Sequence, residues 1–169
     1  MIKIVPIILL TTLFSGCNTT NKANIVLDNK EKIKALDTTP KVIGIGGIFF
    51  ISDNLKESRE WYAKNLGFEI NAWGSSTFES RNVNKPEKVN SLQWTPFKKG
   101  STYFAPSKKE FMINYQVQNI EGLVSKLKEN GVSIVDSITT FAYGKFIHIM
   151  DTQGNKIELW EPIENKDKH

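Results

Sequence analysis

Glu158 lies between Ile157 and Leu159 in the run Lys156–Glu161, and His148 lies between Ile147 and Ile149 in the run Lys145–Met150. Both runs are rich in β-branched and aromatic residues. Asp151-Thr152-Gln153-Gly154-Asn155 between them tolerates turn geometry, so Tyr143–Glu161 is predicted to be a β-hairpin. Strand alternation turns Glu158 away from its apolar neighbours and groups His148 with Phe146 and Met150 against Ile147 and Ile149. A carboxylate and an imidazole placed in this way can act as an acid–base pair. The plainer alternatives are a solvated carboxylate and a hydrogen-bonded histidine in a binding pocket.

The elements that must position these groups repeat. Val42–Ser52 is predicted to be a strand, and its three glycines mark a bend or a close backbone approach. Asn54 with Glu57 forms a capping box ahead of a helix whose Leu55, Ser58, Trp61, Tyr62 and Leu66 share a face, closed by Gly67. Short strands are expected at Phe68–Trp73, Thr77–Asn82 and Ser91–Pro96. In the second half Glu110–Val117 is a strand and Asn119 caps a helix carrying Ile120, Leu123, Val124 and Leu127. Asn130-Gly131 ends that helix, and Val132–Val135 and the hairpin follow. The duplication predicts an α+β fold: two paired βαβββ modules forming a curved, mostly antiparallel sheet with helices on the outside.

The chain has 169 residues, enough for one good domain, with 40% apolar residues, 24% charged residues and a formal charge of +4. Arg occurs only at 59 and 81, and the lysines alternate with acids instead of forming a stripe, so no nucleic-acid partner is expected. Lys3 precedes an apolar run, Ile4–Phe14, too short to span a bilayer. It ends in Leu13-Phe14-Ser15-Gly16-Cys17, which resembles the bacterial lipobox, and Cys17 is the single cysteine. The expected organisation is a lipoprotein signal peptide over 1–16, a lipidated Cys17 opening a polar linker over 17–40, a domain over 41–163 and a polar tail over 164–169. A flexible linker of that length reaches about 25 Å. The protein is therefore expected in the bacterial cell envelope, lipid-anchored on the extracytoplasmic side of the membrane.

The pattern from Asp53 through Trp61-Tyr62 to Leu66-Gly67, with Asp151-x-x-Gly154-Asn155-x-Ile157-Glu158-Leu159, resembles the vicinal oxygen chelate superfamily of glyoxalases, extradiol dioxygenases and bleomycin-resistance proteins. Thr152 stands where the family usually has Pro. The resemblance covers about Val42 to Pro162 and implies a glyoxalase-like domain. In metal-dependent members, four ligands come from the first and last strands of the two modules and hold a divalent ion that acts as a Lewis acid. Carried over, those places fall on Gly47, on Gln93, near Met112 and on Glu158. Glycine offers no ligand and a thioether does not suit a hard ion, so a divalent metal is not favoured and no cofactor is specified. The remaining alternatives are a relocated metal site of Glu158, Gln93 and His148, and a His148–Glu158 acid–base pair without metal.

If Gly47 and Glu158 face inwards, alternation adds Phe49, Gln93, Thr95, Met112, Asn114, Gln116, Phe146, His148 and Trp160 to the same face. Polar groups among aromatics suit a small-molecule site, and amides buried there would need partners. The expected function is an envelope-anchored binding domain for a small organic molecule, with Phe49, Gln93, Asn114, Gln116, Phe146 and Trp160 as contacts. The alternatives are a lyase or related enzyme using Glu158 and His148, and a structural lipoprotein. The two modules can close on each other or exchange between chains as a homodimer; the sequence allows both.

Overall fold

The computed structural model describes residues 37–83, 86 and 88–163. The expected signal peptide, Cys17, the linker up to residue 36 and the tail 164–169 lie outside the described residues. The chain divides into Met1–Asp37 and Thr38–His169, and the fold belongs to the second unit. Among the described residues no helix is long and apolar enough to cross a membrane.

The elements in chain order are β1 (Lys41–Ser52), α1 (Leu55–Leu66), β2 (Ser76–Arg81), β3 (Val89–Lys98), a 3-10 turn (Thr102–Phe104), β4 (Phe111–Gln118), α2 (Ile120–Glu129), β5 (Ser133–Ile134), β6 (Thr139–Phe141), β7 (Gly144–Met150) and β8 (Lys156–Pro162). Local chemistry sets both helix starts. Asn54 accepts from the Glu57 N–H at 3.2 Å, and Gly67 closes α1 in the left-handed region at φ 71°. Asn119 accepts from the Gly122 N–H at 3.1 Å. Glu161, far away on β8, takes the Asn119 N–H at 2.5 Å, which puts a carboxylate at the positive end of α2.

The strands form one open mixed sheet in the order β2-β3-β1-β4-β8-β7-β5, with β6 on β7. β1 runs parallel to β3 and β4 parallel to β8, while the other ladders are antiparallel. The two halves share the pattern of a first strand, a helix and a closing hairpin, with three strands in the first half and five in the second, and they join through β1 and β4; the fold is α+β.

Period-two alternation divides the sheet into two faces. On one, α2 buries Ile120, Leu123 and Val124 against Val117, Ile147, Ile149 and Leu159. Tyr62 of α1 lies 4.6 Å from the Trp94 ring and 6.3 Å from Phe50. The opposite face carries the candidate site.

Three local expectations change. Phe68–Trp73 is not a strand: the Phe68 ring packs on Tyr62, Phe78 and Trp94, and the Asn71 side chain takes the N–H groups of Trp73 and Ser75, so a turn replaces a ladder. α1 buries no residue, and Trp61 and Leu66 of its supposed inner face are 53% and 56% exposed. β6 is an addition; three residues give too short an alternation to stand out in the sequence.

Candidate functional site

One row of residues crosses six strands on the face away from the helices. Thr77 pairs with Gln93, Gln93 with Gly47, Gly47 with Asn114, Asn114 with Glu158, and Glu158 with His148. The register makes Asn114 the counterpart of Gly47, because Gly47 faces Gln93 across one parallel ladder as Asn114 faces Glu158 across the other. This corrects the assignment of that place to Met112, which pairs with Phe49 and is fully buried. Met112 and Asn114 point to the same face of β4, so alternation cannot choose between them and only the ladder register does.

Glu158 is the centre of a buried network. It is 3% exposed; its Oε1 accepts from Asn114 Nδ2 at 2.6 Å, and its Oε2 accepts from the Tyr103 hydroxyl and lies 3.0 Å from His148 Nε2. On the other side of the ring, His148 Nδ1 is 2.6 Å from Asp136 Oδ2, and the His148 N–H donates to Asp136 Oδ1 at 2.8 Å. Each imidazole nitrogen therefore faces a carboxylate, and both contacts are hydrogen bonds when the ring carries both protons. Burial pushes the Glu158 carboxyl up, but the bonds from His148, Tyr103 and Asn114, with the charge on His148, outweigh it and hold the group below the ordinary carboxylate range. Burial and then the Glu158 charge push the Tyr103 phenol far above its usual value, so it remains a donor.

Tyr103 belongs to the 3-10 turn that covers this end of the face. Its ring stacks on Phe97 at 5.1 Å and 6° and meets His148 edge-on at 5.4 Å. Lys156 Nζ donates to the Tyr103 carbonyl at 2.6 Å and lies 5.2 Å from the ring centre. Burial lowers the Lys156 ammonium, against the pull of Asp136 and Glu158.

The structure brings Glu158, His148 and Asn114 together as alternation implied, and adds Tyr103, Asp136 and Lys156. Gln93 stays apart with β1 and β4 between, its carbonyl accepting from the Thr77 hydroxyl at 3.0 Å. Gln116 donates to the Ser91 carbonyl at 2.8 Å. The amides thus find partners within the protein, except Asn114 Oδ1, the one buried side-chain polar atom without a partner among the described residues. Phe146 and Trp160 stack at one end of the face, whereas Phe49 packs at the other end with Phe104 and Met112. Phe49 therefore does not share a cleft with the other two rings. Alternation orders residues across a strand but does not say which rows a loop will cover.

A sequence profile of the glyoxalase/bleomycin resistance protein/dioxygenase superfamily matches residues 44–159. The chain belongs to that superfamily. Among curated proteins none matches it. Its fold is similar to methylmalonyl-CoA epimerase from Mycobacterium tuberculosis, at TM-score 0.51 and 18% identity over 75% of this chain and 92% of that one. It is also similar to a Streptomyces coelicolor methylmalonyl-CoA epimerase variant in complex with 2-nitronate-propionyl-CoA, at TM-score 0.53 and 15% identity over 73% of this chain and 100% of that one. These likenesses show the fold alone.

At the superfamily's four metal-ligand places stand Gly47, Gln93, Asn114 and Glu158, a set one side chain short of four ligands. Gly47 offers no side chain, and a Cβ on its neighbour Gly46 would sit 2.1 Å from Asn114 Oδ1. Both Glu158 oxygens are engaged by side-chain donors, and each nitrogen of His148 faces a carboxylate. Among the described residues no group of three or more His, Cys, Asp or Glu is arranged to hold a metal.

Tyr103→Phe isolates the phenol's role, since it keeps the stack on Phe97 and removes one donor from Glu158. The expected cost is about 1–3 kcal/mol. The Glu158 carboxyl should titrate at higher pH, followed by its carboxyl ¹³C shift; an unmoved titration would show that the phenol does not hold the charged form.

Proposed function

We propose that this protein is an envelope-anchored member of the superfamily that binds a small organic molecule on the open part of its sheet face, without a metal. The observation that carries the metal-free reading is the engagement of Glu158: Tyr103, Asn114 and His148 supply the donors that satisfy its carboxylate. Stacked Phe146 and Trp160 beside them supply the apolar surface. The anchoring rests on the sequence, through Lys3, the run Ile4–Phe14 and the lipobox-like Leu13–Cys17. Mass spectrometry of the membrane fraction should find an acylated Cys17 terminus; an intact Met1 terminus on unanchored protein would refute that part.

Metal analysis of the purified full chain tests the rest. Well under one equivalent of nickel, zinc, manganese or iron is expected. A full equivalent that disappears in Glu158→Gln would overturn the reading. A second reading, an acid–base enzyme, draws on the line of contacts from Asp136 through His148 to Glu158, in which a half-exposed carboxylate faces an imidazole that faces a buried carboxylate. It requires Tyr103 to leave Glu158 before a substrate can reach it, so binding is the better-supported function.

A further inference from the structure

Beyond the Glu158 network the site face is paved with rings. The Trp160 indole lies across the sheet between two glycines: a Cβ on Gly144 of β7 would be 2.3 Å from its Nε1, and one on Gly46 of β1 would be 2.9 Å from its Cε3. Its Nε1 donates to the Tyr143 carbonyl at 3.3 Å. Phe146 stacks beside it with an offset, 5.9 Å away and within 6° of parallel. Phe141 and Tyr143 stack on each other at 5.5 Å and 6°, and stand edge-on to Phe146 at 68° and 69°. These two wall rings are 46% and 60% exposed, and none of the four rings belongs to either apolar cluster of the core.

Two further observations point to a ligand rich in hydroxyl groups. First, Asn114 Oδ1, carried by a residue that is 2% exposed, has no donor and lies at Gly46 beside the indole edge. Second, Gln116, which pairs with Trp160 across the β4–β8 ladder, also lines a recess of about 270 Å³ opened where β1 parts from β3. Glu79, Ser80, Asn90 and Ser91 line the same recess, together with Ile43, Ile45, Phe78 and Leu92. Aromatic floor and a recess of mixed polar and apolar lining therefore meet at Gln116.

A planar aromatic guest gains most between two ring faces, and here Phe146 already stacks on the indole while the wall offers an edge. A saccharide ring suits one floor: its C–H face lies on the indole and its hydroxyls meet the polar groups that line the recess at Gln116. We propose that the Trp160–Phe146 floor, the Phe141–Tyr143 wall and the recess at Gln116 form a binding site for a neutral saccharide. This names the ligand class of the small-molecule reading above and rests on it.

The test titrates the full chain in detergent with cellotriose, with chitotriose and with 2-naphthol, following the Trp160 indole N–H resonance, which is assigned by its loss in Trp160→Phe. A saturable shift with at least one of the sugars is expected. Tyr143→Ala, at an exposed position, should weaken it about two- to tenfold with the melting temperature little changed. Sugar binding unchanged in both Tyr143→Ala and Phe146→Ala would overturn the site. Movement with 2-naphthol but with neither sugar would overturn the saccharide class and leave small-molecule binding standing; no response to any of the three would overturn both.

Discussion

Glu158→Ala is expected to lower the stability of the domain by about 3–5 kcal/mol, read as a fall in the urea unfolding midpoint. The carboxylate is 3% exposed and receives Tyr103, Asn114 and His148, so its loss strands three donors, one of them on a histidine still facing Asp136. Glu158→Gln keeps the shape but turns an amide N–H₂ towards groups that are themselves donors, and should cost about 1–3 kcal/mol. The pH dependence follows from the lowered folded-state titration of Glu158. Between that folded value and the ordinary carboxylate value, the unfolded chain binds a proton that the folded chain does not. Stability therefore rises with pH across this interval; the contribution is complete above the ordinary value and is lost as acidification passes the folded one. Glu158→Gln should lose that part of the slope. A Glu158→Ala protein as stable as its parent at neutral pH would show that the network contributes nothing net.

Gly144→Ala should be similarly damaging, at about 2–4 kcal/mol, because two costs coincide. Gly144 has φ 153°, where side chains are rarely found, and a Cβ there would meet Trp160 Nε1 at 2.3 Å and the Glu161 carbonyl oxygen at 2.7 Å. The indole can tilt, but the carbonyl belongs to the β7–β8 ladder. The expected signs are a lower melting temperature and a changed Trp160 indole resonance. Gly46→Ala should cost about 1–3 kcal/mol by pushing Asn114 off Glu158. Gly44→Ala is the control: a Cβ there meets nothing within 4 Å, so a change within about 0.5 kcal/mol is expected. Equal effects at positions 44 and 144 would mean that the glycine seats do not position the indole.

The sequence carries whatever is decided within a few residues. Asn54 and Gly67 bound the first helix and Asn119 starts the second because caps act on backbone groups three or four positions away. Period-two alternation likewise groups Asn114 with Gln116 and Glu158 with Trp160 within their own strands, and the ladders then bring these and His148 to one face. The repeat of strand, helix and strands then implies two modules, which β1 and β4 join.

What surrounds Glu158 was not legible in that way. Tyr103 lies 55 positions from it and Asp136 lies 12 from His148, both outside the paired strands, where no period relates a residue to its partner. Gln93 shares the row but two strands intervene, and strand order is a property of the closed sheet. The registers of the two parallel ladders make Asn114 rather than Met112 the counterpart of Gly47, and alternation along β4 cannot tell the two apart. By itself the sequence determined the two modules, the hairpin and the face on which its carboxylate and histidine lie. Only the tertiary structure decided that Tyr103 closes over the carboxylate and that Gly46 and Gly144 seat the indole, because these contacts depend on distances between segments that chain-local geometry does not set.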